Sequence, residues 1–458
     1  MVTAVFWFRR DLRLFDHRAL SHAASVSDQL AGVFIVEPRR FAMAGPARRP
    51  FLLDCIEELH HDLDGRLTVE VGDPAVVLGA LARSVGAVKI FATGEVSPAG
   101  ARRDAQVSEV LRESGIELVF VDSPYLNTPG RVRSGSDQPY KVFTPYWKAA
   151  SLFGTEPPTE KVAKQWSASQ RTFDRPALEK LEEIVDRRIS AVGASAPTQL
   201  LRGGERRAQE RLATFGDLVD RYDEERNFPG KDSTSRLSAD LHFGTLHPRT
   251  IVHKIGTHTP GRAAFIRQLY WREFYADVAH FNPHTLWEDL NPNFIETDDG
   301  EVAEARFVAW ARGETGYSLV DAGMRQLLAE GYMHNRVRML TASFLVKDLH
   351  LPWQWGAKWF LHRLIDGDSA NNSHGWQWTA GVGTDASPYN RIFNPELQAE
   401  RFDADQTYVT KWLGDQSTQP TIFSVTQEAR APITPLVDHA AERLEALRRL
   451  GVAKGHAQ

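Results

Sequence analysis

Six side chains between positions 338 and 378 carry the strongest chemical signal in this sequence. They are Arg338, in YMHNRVRMLTASFLVKDL, and Asp366, Asp368, Asn372, Trp376 and Trp378, in LIDGDSANNSHGWQW. A guanidinium, carboxylates, an amide and indoles can together hold a large planar cofactor, fix its charge and supply it with electrons. Light-driven redox chemistry is one of the few chemistries that uses all of these groups.

The two arginines of this region are predicted to serve different neighbours. One face of a predicted helix carries Tyr332, Asn335, Arg336 and Met339. Arg338 points about a third of a turn or more away from that face. We therefore expect Arg338 to have its own partner, for which Asp366 is the candidate.

The acidic and aromatic residues that follow can line a pocket. Asp366, Asp368 and Asn372 lie close enough in sequence to form one side of it. The Asp-x-Asp pattern also suits magnesium, but no Gly-Lys phosphate-binding loop accompanies it, so we expect no metal. Trp376 and Trp378 point in nearly opposite directions in either helix or strand. One indole can therefore face a cofactor's interior side and the other its open side.

A second stripe of polar and aromatic residues lies in FIRQLYWREFYADV. Its members, at spacings i, i+3, i+4 and i+7, are Gln268, Trp271, Arg272 and Tyr275. These spacings align the side chains on one helix face. Such a face suits a stacked base with an edge to hydrogen-bond. Core packing is the alternative for Trp271, although it does not explain the polar neighbours.

The segment KDSTSRLSADL is a candidate anion site at a helix start. Thr234, Ser235 and Ser238 surround Arg236 just before an apolar helical pattern. Hydroxyl groups and free backbone N–H groups at a helix start can bind an anion, and simple capping is the alternative. Tyr222 and Arg226 precede this segment, so an aromatic ring and a cation could reach the same region.

Composition places the chain among ordinary globular proteins. It has 458 residues, of which 42% are hydrophobic and 25% charged, and this length predicts two or three domains. We expect a cytoplasmic protein, because no run approaches the roughly 18 apolar residues of a membrane span and MVTAVFWFRRDLR is charged where a signal peptide is apolar. The single cysteine, Cys55, excludes an internal disulfide. The net charge of −5 argues against indiscriminate nucleic-acid binding, but not against a local basic face.

The order of predicted elements divides the chain into three parts. Residues 1–125 contain five strand-helix units, which predict an α/β domain with a doubly wound parallel sheet. None of these strands is followed by Gly-x-Gly-x-x-Gly, so a dinucleotide is expected elsewhere. Residues 126–200 read as a connector rich in Gly, Ser and Pro, and residues 201–458 as an all-α domain that carries the chemistry.

Several of these segments resemble the photolyase/cryptochrome family, and within it the class I cyclobutane pyrimidine dimer photolyases. The similar segments are WFRRDLRLFDHRAL, YKVFTPYWK, TSRLS, QLYWREFY, TGYSLVDAGMRQL, GYMHNRVRMLTASFLVKDL, IDGD and WQWTAGVGTDASPYNRIFNP. They extend over nearly the whole chain. The resemblance implies an N-terminal α/β domain, a long linker and a helical domain that binds FAD.

The resemblance also assigns residues to FAD and to DNA. It implies FAD contacts from Tyr222, Thr234, Ser235, Arg236, Leu237, Ser238, Arg338, Asp366, Asp368 and Asn372. It implies lesion or phosphate contacts from Arg226, Gln268, Trp271, Asn335, Arg336, Met339 and Trp378. In the implied reaction, light-excited reduced FAD passes an electron to a flipped-out dimer in DNA, and the electron returns after the ring splits. Neither an acid-base pair nor a metal is needed, and a monomer is expected.

Sub-branch signals favour repair of cyclobutane dimers over the alternatives. A (6-4) photolyase would be expected to have histidines at Asn335 and Met339. A plant-type cryptochrome would have Asp at Asn372 and would lack Trp271. A photoreceptor of the cryptochrome type that binds FAD without repairing DNA, and an inactive flavoprotein, stay as alternatives.

Two departures from the family pattern concern the chemistry. Gln268 stands where these photolyases typically have Glu. Gly300 stands where the outermost indole of an electron-transfer triad is expected, whereas Trp376 and Trp353 supply the other two. We expect the electron path to leave through Trp355 or Trp359 instead.

A second, light-harvesting chromophore is expected in the α/β domain. The segment ATGEVSPAGARRD resembles the subgroup that binds 8-hydroxy-5-deazaflavin, through Glu95, Pro98, Gly100, Arg103 and Asp104. Residues for methenyltetrahydrofolate are not evident. The deazaflavin is therefore favoured.

Overall fold

The computed structural model describes residues 2–162, 164–168, 173–291, 296–385, 392–414 and 434–450. The chain forms two compact units, each assembled from separate segments. The first unit comprises Met1–Ile184, Leu201–Asp223 and Thr234–His284, and the second comprises Val185–Leu200, Glu224–Ser233 and Thr285–Gln458. Most of the helices between 201 and 284 thus belong to the first unit. The predicted boundaries at 125 and 200 place the same residues in the helical domain.

A parallel sheet forms the centre of the first unit. Its strands are β1 (Thr3–Phe8), β2 (Gln29–Val36), β3 (Thr68–Val71), β4 (Lys89–Ala92), β5 (Glu117–Phe120) and β6 (Gln165–Trp166). The order is β3-β2-β1-β4-β5, and all the pairings are parallel. This order doubles back at β1, as the prediction of a doubly wound sheet requires. Strand β6, in the predicted connector, pairs with β2 and has no counterpart among the predicted strands.

Helices of the first unit flank the sheet or follow it. They are α1 (Arg18–Ser25), α2 (Pro38–Ala42), α3 (Gly45–Asp62), α4 (Pro74–Val85), α5 (Pro98–Glu113), α6 (Phe143–Ser151) and α7 (Arg175–Glu179), then α9 (Glu205–Gly216), α11 (Ser238–Phe243), α12 (Pro248–Ile255) and α13 (Pro260–Phe281). Helix α4 shows why the local predictions succeed. Asp73 caps its first N–H groups, Pro74 opens it, and Gly86 ends it in the left-handed conformation. Cys55, on α3, is a buried free thiol.

The second unit is helical in its described residues. Its helices are α8 (Arg187–Val192), α14 (Glu301–Arg312), α15 (Ser318–Glu330), α16 (Asn335–Ser343), α17 (Trp353–Arg363), α18 (Ser369–Ala380), α19 (Pro395–Phe402), α20 (Thr407–Leu413) and α21 (His439–Arg449). Helix α10 (Tyr222–Glu225) spans the point where the two units meet in sequence. A π-helical segment, Phe344–Asp348, follows α16. One apolar cluster, which includes Trp310, Trp353, Trp359 and Trp376, forms the core.

Segments rich in turn-forming residues separate helices of the second half of the chain. FNPHT, RGETGYS and LHLPWQ end or precede helices. The similar segment GVGTDASPYN lies partly outside the described residues. Among the described residues, no helix is long and apolar enough to cross a membrane.

Gly244 provides a test of the packing in the first unit. It ends α11 with φ +67°, and a Cβ there would lie 2.0 Å from the backbone oxygen of Arg10. Gly86 is the matched control, because it has φ +66° and a Cβ added to it would meet nothing within 4 Å. We expect Gly86→Ala to cost about 1 kcal/mol through backbone strain and Gly244→Ala about 3 kcal/mol or more, because backbone must move. Denaturant unfolding measures both, and equal losses would contradict the packing described.

Candidate active site

Arg338 and Asp366 form an ion pair in the second unit. The Nη2 atom of Arg338 lies 3.0 Å from Asp366 Oδ2, and Nη1 lies 3.3 Å from Oδ1. Nε donates to the backbone oxygen of Met333 at 2.7 Å. The Asp366 side chain is 6% exposed and that of Arg338 is 24% exposed. The pairing predicted from the sequence is therefore present, in a two-bond geometry that fixes the guanidinium plane.

Arg336, two residues earlier on α16, contacts a different set of neighbours. Its Nη2 donates to Asn227 Oδ1 at 2.7 Å, and its guanidinium carbon lies 4.5 Å from the centre of the Phe402 ring. The separation of the two arginines expected from helical spacing is thus found. On the same helix, Asn335 is exposed and its Nδ2 lies 3.7 Å from Met339 Sδ.

Asp368 and Asn372 position the first turn of α18. Asp368 is the N-cap, and its Oδ1 accepts from the backbone N–H of Asn371 at 3.0 Å and from Asn371 Nδ2 at 2.9 Å. Asn372 Nδ2 donates to the backbone oxygen of Ala357 at 2.8 Å, which ties α18 to α17. His374, buried on the same helix, stays neutral near pH 7, because burial lowers its pKa to about 4.

Trp376 and Trp378 occupy different environments on α18. Trp376 is 3% exposed, whereas Trp378 is partly exposed. The Trp376 ring packs edge-on against Trp310 and Phe360, with centroids 6.1 and 5.1 Å away. It also covers Gly356, where a Cβ would lie 2.1 Å from its Cη2. The opposite directions predicted for the two indoles agree with these environments.

Trp353 begins α17, one helical turn before Gly356. It is 5% exposed, and its Nε1 donates to Asp289 Oδ1 at 2.7 Å. Gly300 is exposed at the start of α14 and carries no ring. Of the two exits expected for an electron path, Trp355 is partly exposed and Trp359 is 1% exposed.

Helix α13 of the first unit carries Gln268 and Trp271. The Trp271 ring stacks on Phe143 of α6, with centroids 3.7 Å apart and an interplanar angle of 11°. Trp271 remains partly exposed, so it is neither a core residue nor a bare surface ring. Gln268 Nε2 donates within the helix to the backbone oxygen of Ala264 at 3.2 Å. Arg272 has a structural role, because it donates to the backbone oxygens of Pro124 and Leu241.

Two buried carboxyl groups fix α13 in place. Glu273 accepts from the backbone N–H groups of Leu126 and Asn127. Asp277 accepts from the Gly130 N–H at 2.7 Å. Burial raises the pKa of Glu273 to about 7 and that of Asp277 to about 6, although these hydrogen bonds oppose the shift. The hydrogen bonds of Glu273 and Asp277 therefore hold the helix that carries Trp271.

The segment from Thr234 to Ser238 does not cap a helix with a hydroxyl group. Leu237 is the N-cap of α11 and makes no side-chain cap bond. Arg236 has φ +51°, and Ser235 Oγ instead accepts from the Leu237 N–H at 3.3 Å. The simple capping weighed for this segment is therefore not found. Tyr222 is buried, with its ring edge-on to Phe215 and Phe265.

Comparison with known proteins identifies the family to which this chain belongs. Residues 4–165 match the DNA photolyase family, and residues 265–451 match the FAD binding domain of DNA photolyase. The chain is 37% identical to a protein of Halobacterium salinarum named deoxyribodipyrimidine photo-lyase, over 98% of this chain and 99% of that protein. The chain belongs to the DNA photolyase family.

Solved structures of photolyases share the fold over nearly the full length. A bacterial class III photolyase from Agrobacterium tumefaciens is 31% identical with a TM-score of 0.84, covering 99% of this chain and 98% of that one. An archaeal photolyase from Sulfolobus tokodaii, described with two FAD molecules, is 28% identical with a TM-score of 0.82, covering 98% and 100%. Both of the predicted fold classes, α/β and all-α, are thereby confirmed.

The second unit offers groups that fit FAD, as expected of this family. Among the described residues, the bonds of Arg338 use three of its five N–H donors, which leaves two for a ligand. Asn372 and Trp376 lie one turn apart on α18, so an amide and an indole share one face. A cation, an amide and an indole suit the polar edge and the ring of a flavin. FAD, when bound, supplies light absorption and one-electron chemistry.

Sequence reasoning missed several contacts that position these groups. Asp289, which binds the Trp353 indole, and Phe143, which stacks on Trp271, were not predicted as site residues. Phe143 did lie in the motif YKVFTPYWK, but its partner is far away in sequence. For Asp289 the sequence carries no signal that links it to Trp353.

Asp366→Ala should reduce FAD retention. Removing the carboxylate leaves Arg338 without its ion-pair partner, and a hydrogen bond to a charged group contributes about 1.5 to 3 kcal/mol. We expect FAD affinity to fall about tenfold or more, measured by equilibrium dialysis with flavin absorbance. Asp298→Ala is the matched control, because Asp298 pairs with Arg306 and Arg449 elsewhere in the same unit. Equal retention in both variants would remove Asp366 from the flavin site.

Proposed function

We propose that this protein repairs cyclobutane pyrimidine dimers in DNA, using light and reduced FAD. The observation that carries the proposal is similarity over nearly the whole chain to a protein named deoxyribodipyrimidine photo-lyase. The Arg338 and Asp366 pair, Asn372 and Trp376 support it, because they provide the charge, hydrogen bonds and indole that a flavin needs. The class I assignment remains a prediction from the sequence motifs.

FAD contacts are proposed at ten positions. They are the residues implied by the family resemblance, Tyr222, Thr234, Ser235, Arg236, Leu237, Ser238, Arg338, Asp366, Asp368 and Asn372. Arg338 would offer its two remaining N–H groups, and Asn372 its amide. For Asp368, whose Oδ1 accepts from Asn371 twice, the carboxylate is the group we propose for the ligand.

DNA contacts are proposed for seven residues that differ in exposure and chemistry. They are Arg226, Gln268, Trp271, Asn335, Arg336, Met339 and Trp378. Trp271 is the strongest of these, because its ring is partly exposed while one face is held by Phe143. A ring fixed in this way loses little freedom when a base stacks on it. Arg226 would bind a phosphate, and Gln268 would hydrogen-bond a pyrimidine edge with an amide in place of a carboxylate.

A light-harvesting chromophore is proposed for the first unit, where the ends of β1, β2 and β4 converge. Arg9 Nη1 lies 2.6 and 2.7 Å from the two oxygens of Asp104, and Arg103 Nη1 lies 2.7 Å from Glu37 Oε1. Both guanidinium groups lie over the Trp7 ring, at 4.6 and 5.0 Å. Trp7 is 1% exposed, so the paired charges over it, and not the indole itself, are the groups we propose for contact with a planar pigment.

Its chemical identity is proposed from the resemblance at Glu95, Pro98, Gly100, Arg103 and Asp104. Gly100 leaves room for Glu95, since a Cβ at Gly100 would lie 1.9 Å from Glu95 Cγ. Burial opposes ionisation of Glu95, but Arg10 and Arg9 lower its pKa. We propose 8-hydroxy-5-deazaflavin over methenyltetrahydrofolate. The absorption spectrum of chromophores released by denaturation decides between them.

The proposed activity is tested by repair of an oligonucleotide that contains one thymine dimer. Protein whose flavin has been chemically reduced in the dark should restore the dimer to two thymines under blue light and not in darkness. An oligonucleotide with a (6-4) lesion is the control substrate. Absence of light-dependent repair by flavin-loaded, reduced protein would contradict the proposal and favour a photoreceptor.

Trp271→Ala should weaken binding of the dimer-containing oligonucleotide. Loss of one stacking ring costs about 1 to 3 kcal/mol, and undamaged DNA should be bound as before. Trp147→Ala is the control, because Trp147 lies on the neighbouring α6 below Arg267 and has no proposed lesion contact. Fluorescence anisotropy measures both affinities. If Trp271→Ala discriminates damaged from undamaged DNA as the parent does, Trp271 does not stack on the lesion.

A further inference from the structure

Trp353 has a carboxylate on its indole nitrogen. Nε1 donates to Asp289 Oδ1 at 2.7 Å, a length typical of a hydrogen bond to a charged acceptor. Trp353 is 5% exposed, whereas Asp289 is partly exposed. Nε1 is therefore held away from bulk water but in contact with a base that can exchange protons with water.

Trp353 and Trp376 both pack along helix α17 in the core of the second unit. The Trp376 ring packs on Gly356, whose absent side chain makes room for it. Gly356 is one helical turn from Trp353 on α17, so both lie on the same face of that helix. Both indoles belong to the same apolar cluster. An electron can therefore pass from Trp353 to Trp376 within the core.

No third indole continues this path at position 300. Gly300 is an exposed residue with φ +89°, and a Cβ there would meet no described atom within 4 Å. An oxidised Trp353 must then be stabilised by another means. Without such a means, the charge would return to Trp376 and recombine.

The two expected exits, Trp355 and Trp359, are poorly suited to hold a positive charge. The Arg188 guanidinium lies 4.1 Å from the centre of the Trp355 ring, and a cation there opposes oxidation. Trp359 is 1% exposed, and its Nε1 has no hydrogen-bond partner among the described residues. Among the residues that the structure describes, an oxidised Trp359 therefore has no hydrogen-bonded group to take its indole proton.

We propose that Asp289 accepts the indole proton of Trp353 when Trp353 is oxidised, and so traps the electron vacancy that a third tryptophan would otherwise carry to the surface. This inference rests on the proposed function, since it concerns the light-driven reduction of bound flavin. Asp289 acts here as a proton acceptor on a reacting atom. It replaces a further electron transfer with a proton transfer.

Electrons and protons balance in this sequence. Trp376 gives one electron to the photoexcited flavin, and Trp353 gives one electron to Trp376. The N–H bond of Trp353 then breaks, its proton forms an O–H bond with Asp289, and a neutral tryptophan radical remains. An external thiolate supplies one electron to that radical and becomes a thiyl radical, while Asp289 returns the proton.

The environment of Asp289 favours this transfer. Burial raises its pKa, so its carboxylate is a stronger base than an exposed aspartate, although the bond from Trp353 opposes the shift. An oxidised indole is a far stronger N–H acid than a neutral indole. Because the hydrogen bond already exists, the proton moves without rearrangement of either side chain.

Transient absorption after a blue flash tests the proposal in the flavin-loaded full-length protein. In the parent, the long-lived radical should be the neutral tryptophan species, and its formation should slow in D₂O. In Asp289→Asn, which can keep the hydrogen bond but is not a base, the radical should remain protonated. Its lifetime should then fall by about a hundredfold, the low end of what a positioned base contributes. Asp289→Glu should restore the neutral radical, and Glu288→Gln, at an exposed neighbour, should behave as the parent.

Several results would overturn the proposal. A long-lived tryptophan radical that stays protonated in the parent protein would be sufficient by itself to overturn it. An unchanged radical lifetime in Asp289→Asn would also overturn it. So would a long-lived radical that is lost in Trp355→Phe, Trp359→Phe or Trp287→Phe but persists in Trp353→Phe. Trp287 is included because it is 43% exposed and precedes Asp289 by two residues.

Two further measurements separate this proposal from the proposed repair function. Chemically reduced Asp289→Asn should repair a dimer at the parental rate, because reduction from outside bypasses Trp353. Failure of the parent to repair would instead count against the repair function. In the dark, the Trp353 indole N–H resonance, identified by its loss in Trp353→Phe, should shift in Asp289→Asn. An unchanged resonance would show that the hydrogen bond is absent, which also overturns the proposal.

Discussion

The ion pair between Arg338 and Asp366 is the constraint on which the second unit's site depends. A partly buried charge must be paired, because the cost of leaving it unpaired exceeds what an exposed pair contributes. Asp366 lies two residues before Asp368, the N-cap of α18. The pair therefore fixes where α18 starts relative to α16, and with it the positions of Asn372 and Trp376.

Helix α18 then transmits this position to the redox residues. Asn372 bonds the backbone of α17, and Trp376 fills the space left by Gly356 on the same helix. Trp353 begins α17 and is held by Asp289. Charge pairing, helix capping and core packing thus act on the same two helices. Through these two helices, the partly exposed pair of Arg338 and Asp366 is connected to the buried indoles of Trp376 and Trp353.

Local features of the sequence were sufficient for much of this structure. Asp73, Pro74 and Gly86 mark the ends of α4 by local interactions, and helical spacing separated Arg336 from Arg338. Contacts between distant segments could not be predicted in this way. The stack of Trp271 on Phe143, the addition of β6 to the sheet and the bond of Asp289 to Trp353 all depend on the tertiary fold. The role of Arg272 was missed for the same reason, since its acceptors are backbone oxygens of other segments.

A crystal structure of the FAD-loaded protein tests the central claim most directly. The account predicts that the flavin ring contacts the free N–H groups of Arg338 and lies beside Asn372, with the Arg338 and Asp366 pair retained. Flavin bound away from these residues would contradict it. So would a bound flavin that breaks the ion pair and takes Arg338 as its own counter-ion.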